Sequence, residues 1–442
     1  MKPFKKYIFK QNCIVLESTG KQMELHLTHL EDLAIERGKQ GFMDFVALVD
    51  LLVKKLQGQE SDVDVNAKID GSPALIFGRD PRKEFKNQFF IALKYSVDPA
   101  KGIIKEDAKL LHSQQDIQLY YGDRPAFAQK LNNIFQELNR AYDNSGLIYQ
   151  CDVLYASNED KREQVVDGEE FLVFKPNVIV YAIPLDHLSA LYAQTKKSSV
   201  GIVVHDSFTA TQKDNTIVLH HKSRKVPSIV DSGKRANVLI LSANFEQAQV
   251  HVDQALTTDL HNNLIACHEL IQQIDDNFDV NYVNSQLMEY LKIFINKQVD
   301  LPQGGIFGKK TNVTHINNFI QDFKKFLEKR FDVIIGNKKT EKGRMNQLSK
   351  LQNLLNYLQD HADSVVALLS LFSKMIHMKK QIMSLVENLS HALRKTFFES
   401  PDGSLVATKG EGHVIFHGNT HVKIVDRLEF TKVNRSRGGQ RA

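Results

Sequence analysis

Hydrophobic and polar side chains alternate along the chain from residue 63 to residue 70. One side of this stretch carries Val63, Val65, Ala67 and Ile69, and the other carries Asp64, Asn66, Lys68 and Asp70. Such alternation is typical of a β-strand with one buried face and one polar face. The run Gly71-Ser72-Pro73 then ends the strand, and residues 74–78 predict a return strand. We therefore predict a β-hairpin in which Lys68 lies near the turn and points into a cleft.

The first 58 residues show helical spacing. Thr28-His29-Leu30-Glu31 has the form of a capping box, which predicts a short helix that begins there and ends near Gly38. Apolar residues then recur at helical intervals before Gly58, at Phe45, Val49, Leu52 and Leu56. The pattern predicts an N-terminal helical hairpin within residues 1–58.

Residues 59–243 are mostly strand-like and contain one clear helix. That helix is predicted from Phe127 to Tyr142, because apolar residues form a stripe along it. Further strands are predicted over residues 89–94 and 200–205. The first ends at Lys94, and the second ends at His205, which we interpret as structural.

The pattern changes near residue 244, after which glycines are few and apolar residues follow long segments of helical period. Residues 244–400 therefore predict a large α-helical insertion, which we expect to have its own core and to lie beside the cleft. Lys374, Lys379 and Lys380 would let it grip a duplex substrate through phosphate contacts. The alternative is that this basic segment serves packing or protein partners.

Residues 401–442 return to a strand pattern. Apolar runs at 414–416 and 422–425 flank Gly418-Asn419, which predicts a second hairpin, and a basic tail follows at 435–441. The predicted fold is therefore α+β. Strands from residues 59–243 and 401–442 would form one domain, interrupted by the helical insertion.

Composition and charge narrow the class of protein. The chain has 442 residues, of which 42% are hydrophobic and 25% charged, as expected of a globular protein of two or three domains. Its net charge of +5 permits nucleic-acid binding without requiring it. Cys13, Cys151 and Cys267 show no paired or zinc-site spacing, so we expect reduced thiols and a cytoplasmic protein. No apolar run approaches the roughly 18 residues of a membrane span, and we expect no membrane partner.

Two constellations carry the candidate chemistry. The first is Lys68-Ile69-Asp70-Gly71, a string that taken alone is better explained by a solvated lysine before a turn. The second is Glu411-Gly412, followed by Lys423 in the last predicted strand. The two constellations together are far harder to obtain by chance than either one alone.

On these residues the chain resembles the covalent nucleotidyltransferase superfamily, which contains ATP-dependent DNA and RNA ligases and capping enzymes. It is also similar to poorly characterised ligase-like proteins of tailed phages. The resemblance matches Lys68-Ile69-Asp70-Gly71 to motif I, and Pro73 in place of a common arginine brings the chain closer to RNA ligases. It matches Asp152 to the acidic residue of motif III, in place of the usual glutamate.

The resemblance extends to three further motifs. The aromatic residue of motif IIIa, which stacks on adenine in the family, best matches Tyr181, with Phe174 as the second choice. Glu411-Gly412 matches motif IV, and Lys423 matches one lysine of motif V, where the family often has two. The implied fold has antiparallel sheets around an ATP cleft.

The resemblance also implies a reaction, its cofactors and its partners. ATP and Mg²⁺ would be the cofactors, Lys68 the nucleophile that forms lysyl-AMP, and Lys423 a second catalytic lysine. The ATP-binding residues would be Asp70, Gly71, Asp152, Tyr181 and Glu411. Asp152 and Glu411 would also be candidate Mg²⁺ ligands, because Mg²⁺ prefers carboxylate oxygens and water. Lys94 would hold substrate phosphate, unless it is only a charged strand end.

The expected substrate is a nucleic acid with a 5′-phosphate and a 3′-hydroxyl, which the enzyme would join. Two alternatives remain open at this stage. One is an adenylyltransferase that modifies another acceptor, and the other is a catalytically weak nucleic-acid-binding protein that keeps the fold.

Overall fold

The structure, a computed structural model, describes residues 28–59, 61–98, 101–244, 254–280, 282, 286–298, 306, 313–386, 393, 395–400, 402–408, 412–417 and 420–427. The strands are β1 (Thr28–His29), β2 (Asp64–Ala67), β3 (Ala74–Arg79), β4 (Phe89–Leu93), β5 (Val97–Asp98), β6 (Ile103–Ile104), β7 (Ile148–Tyr155), β8 (Lys161–Val166), β9 (Glu169–Phe174), β10 (Ile179–Pro184), β11 (Gly201–Lys213), β12 (Thr216–Ser223), β13 (Leu239–Ser242), β14 (Lys395–Glu399), β15 (Leu405–Thr408), β16 (His413–His417) and β17 (Thr420–Ile424). The helices are α1 (Asp32–Leu56), α2 (Gln114–Tyr121), α3 (Pro125–Ala141), α4 (Ala190–Lys197), α5 (Pro227–Ala236), α6 (Gln254–Gln272), α7 (Gln286–Gln298), α8 (Val313–Gly336), α9 (Glu341–Asp360) and α10 (Ala362–Val386).

The described strands form three sheets, and the fold is α+β. The small sheet has the order β1-β17-β16-β2, in which only the β1–β17 pair is parallel. A five-stranded antiparallel sheet has the order β15-β14-β10-β9-β8. The large sheet runs β4-β3-β7-β11-β12-β6-β5, and β13 joins it beside β11 in parallel. Strands from both ends of the chain thus complete the small sheet.

The alternation around Lys68 is confirmed, but the predicted hairpin is wrong. Val63, Val65 and Ile69 are each at most 2% exposed, as the apolar face of a strand requires. Strand β2 pairs with β16, however, whereas β3 pairs with β4 and β7 in the large sheet. Residues 68–73 therefore cross from one sheet to the other, and Lys68 lies where the two sheets meet.

The N-terminal prediction is correct in its helical content and wrong at its start. Thr28 belongs to β1, which pairs with β17, so the expected capping box does not form. The helix begins at Asp32, and Glu31 before it makes no side-chain cap. Helix α1 is interrupted at Gly38, where φ is 56° and ψ is −130°. The second segment folds back there, so that Gly41 lies against the backbone of Leu33.

The large sheet is covered on one face by helices α2, α3 and α5. The predicted helix over 127–142 is α3, and Leu131, Ile134 and Leu138 of its apolar stripe are fully buried against this sheet. The opposite face packs Ile76, Phe90 and residues of β11 and β12. With both faces covered, the central strand β7 is almost entirely buried, and polar residues on it stand out.

Helices α6–α10 give residues 254–386 the helical character predicted for 244–400, but β14 lies within the predicted range and pairs with β10. The described residues of this segment also lack the separate core that was expected. Its apolar residues form one continuous core with helix α1, the small sheet and part of the five-stranded sheet. Helix α10 packs against both α1 and α6. The helical segment is thus built onto the N-terminal helix, and this joint core reaches the small sheet that carries Lys423.

The last strands confirm the second predicted hairpin, since β16 and β17 pair antiparallel from His413–Ile424 to His417–Thr420. Glu411, the Gly418-Asn419 turn, the basic tail at 435–441 and Cys13 lie outside the described residues. The other two cysteines, Cys151 and Cys267, are buried free thiols. Among the helices of the described residues, none is long and apolar enough to cross a membrane.

Candidate active site

The segment that follows β2 is held by the C-terminal hairpin. The backbone N–H of Lys68 donates a hydrogen bond of 2.9 Å to the carbonyl oxygen of Gly412. Gly412 has a φ of 94°, and a Cβ atom there would lie 2.3 Å from the carbonyl oxygen of Ile424. Only glycine fits such a position without a shift of the backbone. The two constellations found in the sequence therefore meet, although Glu411 itself lies outside the described residues.

The next residues of the crossing segment are held by strand β7. The N–H of Gly71 donates to Oδ2 of Asp152 at 3.2 Å, and the N–H of Ser72 donates to the carbonyl oxygen of Val153 at 2.8 Å. A Cβ atom on Gly71 would lie 2.3 Å from that same carbonyl oxygen of Val153. Glycine is therefore needed for close approach of two backbones. Lys130 of α3 donates to the carbonyl oxygen of Ser72 at 2.9 Å and completes the support.

The Lys68 side chain forms an ion pair with the carboxylate of Asp70, two residues away. The Lys68 side chain is 19% exposed and that of Asp70 is 41% exposed, so both reach solvent at the mouth of the site. The N–H of Asp70 donates to the hydroxyl of Tyr181 at 3.3 Å. Tyr181 thus fixes the backbone of the crossing segment from the five-stranded sheet.

Tyr181 lies differently from the arrangement that adenine stacking would need. Its ring is 2% exposed and stacks on Phe174, with ring centroids 5.9 Å apart. What reaches the segment around Lys68 is the hydroxyl of Tyr181. Its stacking on a purine stays a prediction, as does that of Phe174.

Lys423 lies on β17, which β16 separates from β2, and it is on the same face of the small sheet as Asn66. Val414 of β16 is directly opposite both Asn66 of β2 and Lys423 of β17, and directly opposite residues share a face. Burial lowers the pKa of Lys423, as do the charges of Lys68 and Arg427, whereas Asp32 and Glu31 oppose this effect. Lys423 therefore lies near Lys68 in a partly desolvated cluster of positive charge.

His29 is paired with Lys423 across the parallel strands β1 and β17. Burial, followed by the charges of Arg427, Lys379, Lys423 and Lys68, holds the pKa of His29 well below its ordinary value. His29 is therefore neutral near neutral pH. A neutral imidazole adds no further charge to a cluster that already contains several cations.

Beneath this cluster, two ion pairs are buried between α1, α10 and the end of the small sheet. Lys379 of α10 donates to Glu31 at 2.7 Å, and Arg427 forms an ion pair with Asp32. All four residues are less than 9% exposed. Burial raises the pKa of Glu31, but the charges of Lys379 and Arg427 outweigh it and lower that pKa overall. Burial keeps the pKa of Asp32 raised despite Arg427.

These contacts correct the expected role of Lys379, which is 2% exposed and cannot hold a duplex on the surface. Lys374 and Lys380 on the same helix are half-buried. Basic side chains are instead concentrated at 324–350, where the sequence has nine lysines and arginines against three acidic residues. Most of these side chains are exposed in α8 and α9.

Asp152 has the chemistry of an oxygen ligand. Its Oδ2 accepts from Gly71 and lies 3.5 Å from Nε2 of His205, whereas its buried Oδ1 has no hydrogen-bond partner among the described residues. Such a carboxylate oxygen fits a ribose hydroxyl or hydrated Mg²⁺. No group of three or more histidine, cysteine or acidic side chains suited to a metal occurs in the described ranges. Glu411, the other candidate ligand, lies outside those ranges.

Lys94 follows β4 at the start of a 3₁₀ turn, at the same end of the sheet as Asp152. Leu93 before it pairs with Leu75, and the neighbouring Ala74 pairs with Asp152. Burial raises the pKa of the Cys151 thiol, and the positive charge of Lys94 opposes this effect. Because Cys151 is on β7, Lys94 lies close to that strand. Its proposed contact with substrate phosphate stays a prediction, and its position agrees with that role.

Three residues of this region, His29, Arg427 and His205, were given no role in the site from the sequence alone. His29 stood within a false capping box, and nothing in the sequence linked it to Lys423. Arg427 follows the last strand, and its side chain carried no signal in the sequence pattern. His205 was interpreted as structural; a register shift in β11 between Val204 and Asp206 surrounds it, and it faces Asp152.

Comparison with known proteins adds the family of the chain. A sequence profile described as "Family of unknown function (DUF6267)" matches residues 24–437. The chain belongs to this family. No curated protein and no solved structure gives a significant match. The match covers the crossing segment, the helical segment and the final hairpin.

Proposed function

We propose that this DUF6267 protein is an ATP-dependent polynucleotide ligase-like enzyme that acts through a covalent lysyl-AMP intermediate on Lys68. Its α+β sheets would then be those of a ligase-type nucleotidyltransferase around an ATP cleft. The observation that carries the proposal is the contact between Lys68 and Gly412, because it joins two motifs from opposite ends of the chain. Asp152, Tyr181 and Lys423 approach the same segment from three other strands.

The proposed first step is attack of the Lys68 amine on the α-phosphate of ATP. A bond forms between the Lys68 nitrogen and the α-phosphorus. The bond from the α-phosphorus to the oxygen that bridges to the β-phosphate breaks, and pyrophosphate leaves. The attacking amine then loses a proton to solvent. Because only the neutral amine attacks, Lys68 must first leave its ion pair with Asp70. The positive charge of Lys423 favours the neutral amine and also attracts the phosphates.

The remaining residues position the nucleotide. Asp152 would accept from a ribose hydroxyl or hold hydrated Mg²⁺, which neutralises phosphate charge when bound. Tyr181 and Gly71 keep the crossing segment in place. In the second half of the reaction, AMP passes to a 5′-phosphate, and a 3′-hydroxyl displaces AMP as the strands are joined. Lys94 would bind that 5′-phosphate.

The decisive experiment is incubation of the protein with ATP labelled at the α-phosphate and Mg²⁺, followed by denaturing electrophoresis and mass spectrometry. Wild type should carry one adenylyl group on Lys68. Lys68→Ala and Lys68→Arg should carry none, because arginine keeps the charge but is not deprotonated near neutral pH. Lys55→Arg is the matched control, since the Lys55 side chain is also 19% exposed and lies on α1, at the far end of β2.

Chasing the labelled protein with nicked duplexes and with single strands separates the candidate functions. Transfer of AMP to a 5′-phosphate supports a ligase, and an adduct that no nucleic acid accepts supports an adenylyltransferase with another acceptor. An adduct that persists in Lys68→Arg would refute the assignment of the nucleophile. If the wild-type protein never forms an adduct, the hypothesis of a catalytically weak nucleic-acid-binding protein replaces the proposal.

A further inference from the structure

An aromatic surface lies beside the candidate site and takes no part in the reaction proposed above. It consists of Tyr95, which follows Lys94, and of Leu119 and Tyr120 on α2; we call it the aromatic patch. Tyr95 is 59% exposed, Leu119 75% and Tyr120 40%. Among the tyrosine and phenylalanine side chains in the part of the chain that the structure describes, those of Tyr95 and Tyr120 are the ones more than a third exposed. Both of these exposed rings are in the patch.

The patch is held in a fixed geometry. The hydroxyls of Tyr95 and the buried Tyr121 are 3.0 Å apart and share a hydrogen bond. Nζ of Lys109 lies 5.2 Å from the ring centre of Tyr120 and 5.5 Å from that of Tyr121. Rings with fixed orientation lose little conformational entropy when a flat partner stacks on them. The patch therefore suits stacking.

Two connections place the aromatic patch next to the segment that carries Lys68. Lys94, at the inner edge of the patch, follows the β4 residue that pairs with Leu75, close to the end of the crossing segment. On the other side, Tyr121 contacts Phe127 edge-on, with ring centroids 5.4 Å apart. Lys130 is one helical turn beyond Phe127 and donates to the carbonyl oxygen of Ser72.

The charge around the patch suits a phosphate backbone but is not strong. Lys105 donates to the carbonyl oxygen of Tyr95 at 2.8 Å, Lys109 lies over the ring of Tyr120, and Arg124 lies over that of Phe127. The exposed acidic residues Glu106, Asp107 and Asp123 are next to these cations in the sequence. Duplex binding through phosphates alone needs a larger excess of positive charge. Exposed rings beside moderate positive charge are instead typical of surfaces that bind single strands by stacking.

We propose that the aromatic patch binds unpaired bases of a nucleic-acid strand whose terminal phosphate reaches Lys94 and the Lys68 site. This inference rests on the proposed function for the direction of the strand, and it narrows the substrate to ends with unpaired bases. Tyr95 and Tyr120 supply the stacking faces. Lys105 and Lys109 contact the backbone between the stacked bases.

The test measures binding of fluorescent oligothymidylate to Lys68→Ala protein, in which no adenylylation occurs. An abasic strand of equal length and a blunt duplex are the comparison ligands. Tyr95→Ala and Tyr120→Ala should each weaken oligothymidylate binding by roughly 5- to 160-fold, since stacking contributes about 1–3 kcal/mol per base. Binding of the abasic strand should not change, and Tyr120→Phe, which keeps the ring, should bind nearly as well as the parent.

Leu188→Ala is the matched control, because Leu188 is 96% exposed and lies between β10 and α4, on none of the elements that carry the patch. Unchanged oligothymidylate affinity in both tyrosine variants would refute the proposal, and so would an equal loss for the abasic strand. A preference for the blunt duplex would refute it as well. Adduct formation with ATP is measured separately, in tyrosine variants that keep the native Lys68. If wild type forms no adduct but the tyrosines still determine binding, the patch stands and the proposed function fails.

Discussion

The backbone N–H of Lys68 donates a hydrogen bond to the carbonyl oxygen of Gly412, near the opposite end of the chain. The bond closes the small sheet around residues that the helical segment separates in sequence. It also means that the position of Lys68 depends on correct folding of the final hairpin. Substitutions that disturb this closure should remove activity without touching any catalytic side chain.

Gly71→Ala tests the close approach of the crossing segment to β7. The added Cβ atom would lie 2.3 Å from the carbonyl oxygen of Val153, so the backbone must shift and the bond to Asp152 must lengthen or break. We expect at least a tenfold loss of adduct formation, which is about 1.4 kcal/mol. Labelling with ATP measures it. Gly336→Ala at the end of α8 meets nothing within 4 Å and should label like wild type.

The buried pair of Lys379 and Glu31 gives a prediction about stability. Lys379→Met leaves the Glu31 carboxylate buried and without its hydrogen-bonded cation, which costs about 3–5 kcal/mol. Denaturant unfolding measures the change. The double variant Glu31→Gln with Lys379→Met should recover much of the loss, because no uncompensated charge remains. Equal destabilisation by Lys380→Met, on the half-buried neighbour, would show that the buried pair has no special role.

Periodicity predicted the local elements of this chain well. Helix α3, the pairing of β16 with β17 and the two faces of β2 follow from side-chain spacing, because each spacing reflects one local packing environment. It did not predict which strands pair. The Gly71-Ser72-Pro73 turn fits a tight hairpin and a crossing between sheets equally well, since turn residues specify backbone angles but not strand partners.

Only those residues of the candidate site that belong to sequence motifs could be predicted. Lys68, Asp152 and Lys423 stood in recognisable strings, whereas His29 and Arg427 entered through pairings between distant parts of the chain. Lys379 was misinterpreted because charge in a sequence does not indicate whether a partner such as Glu31 will bury it. The exposed tyrosines of the aromatic patch carried no signal, because exposure of an aromatic residue is decided by tertiary packing.

Asp152→Asn tests whether the carboxylate acts through its charge. The amide oxygen still accepts from the N–H of Gly71, so the crossing segment should keep its position and the fold its stability. Loss of the charge should weaken any interaction of the buried Oδ1 with hydrated Mg²⁺. We expect labelling to require a higher Mg²⁺ concentration and to fall at least about tenfold at low Mg²⁺. Asp152→Glu keeps the charge and should lose less, whereas equal losses in both would point to geometry alone.

The last prediction concerns the pH dependence of adenylylation and the charge of Lys423. Burial and the neighbouring charge of Lys68 lower the pKa of Lys423, and repulsion between two ammonium groups acts equally on both. The adenylylation rate should rise with pH as the attacking amine loses its proton. Removing the Lys423 charge makes that proton harder to lose. Lys423→Ala should therefore shift the rising limb of the rate to higher pH, in addition to lowering its plateau.

Single-turnover labelling across a pH series separates these two effects. Lys423→Arg is the control, since it keeps a positive charge and should leave the rising limb near its wild-type position. His29→Ala should change the profile little, because burial and the surrounding cations hold the pKa of His29 far below neutral and the imidazole carries no charge there. A rising limb that stays in place in Lys423→Ala, while only the plateau falls, would show that Lys423 binds phosphate without activating Lys68.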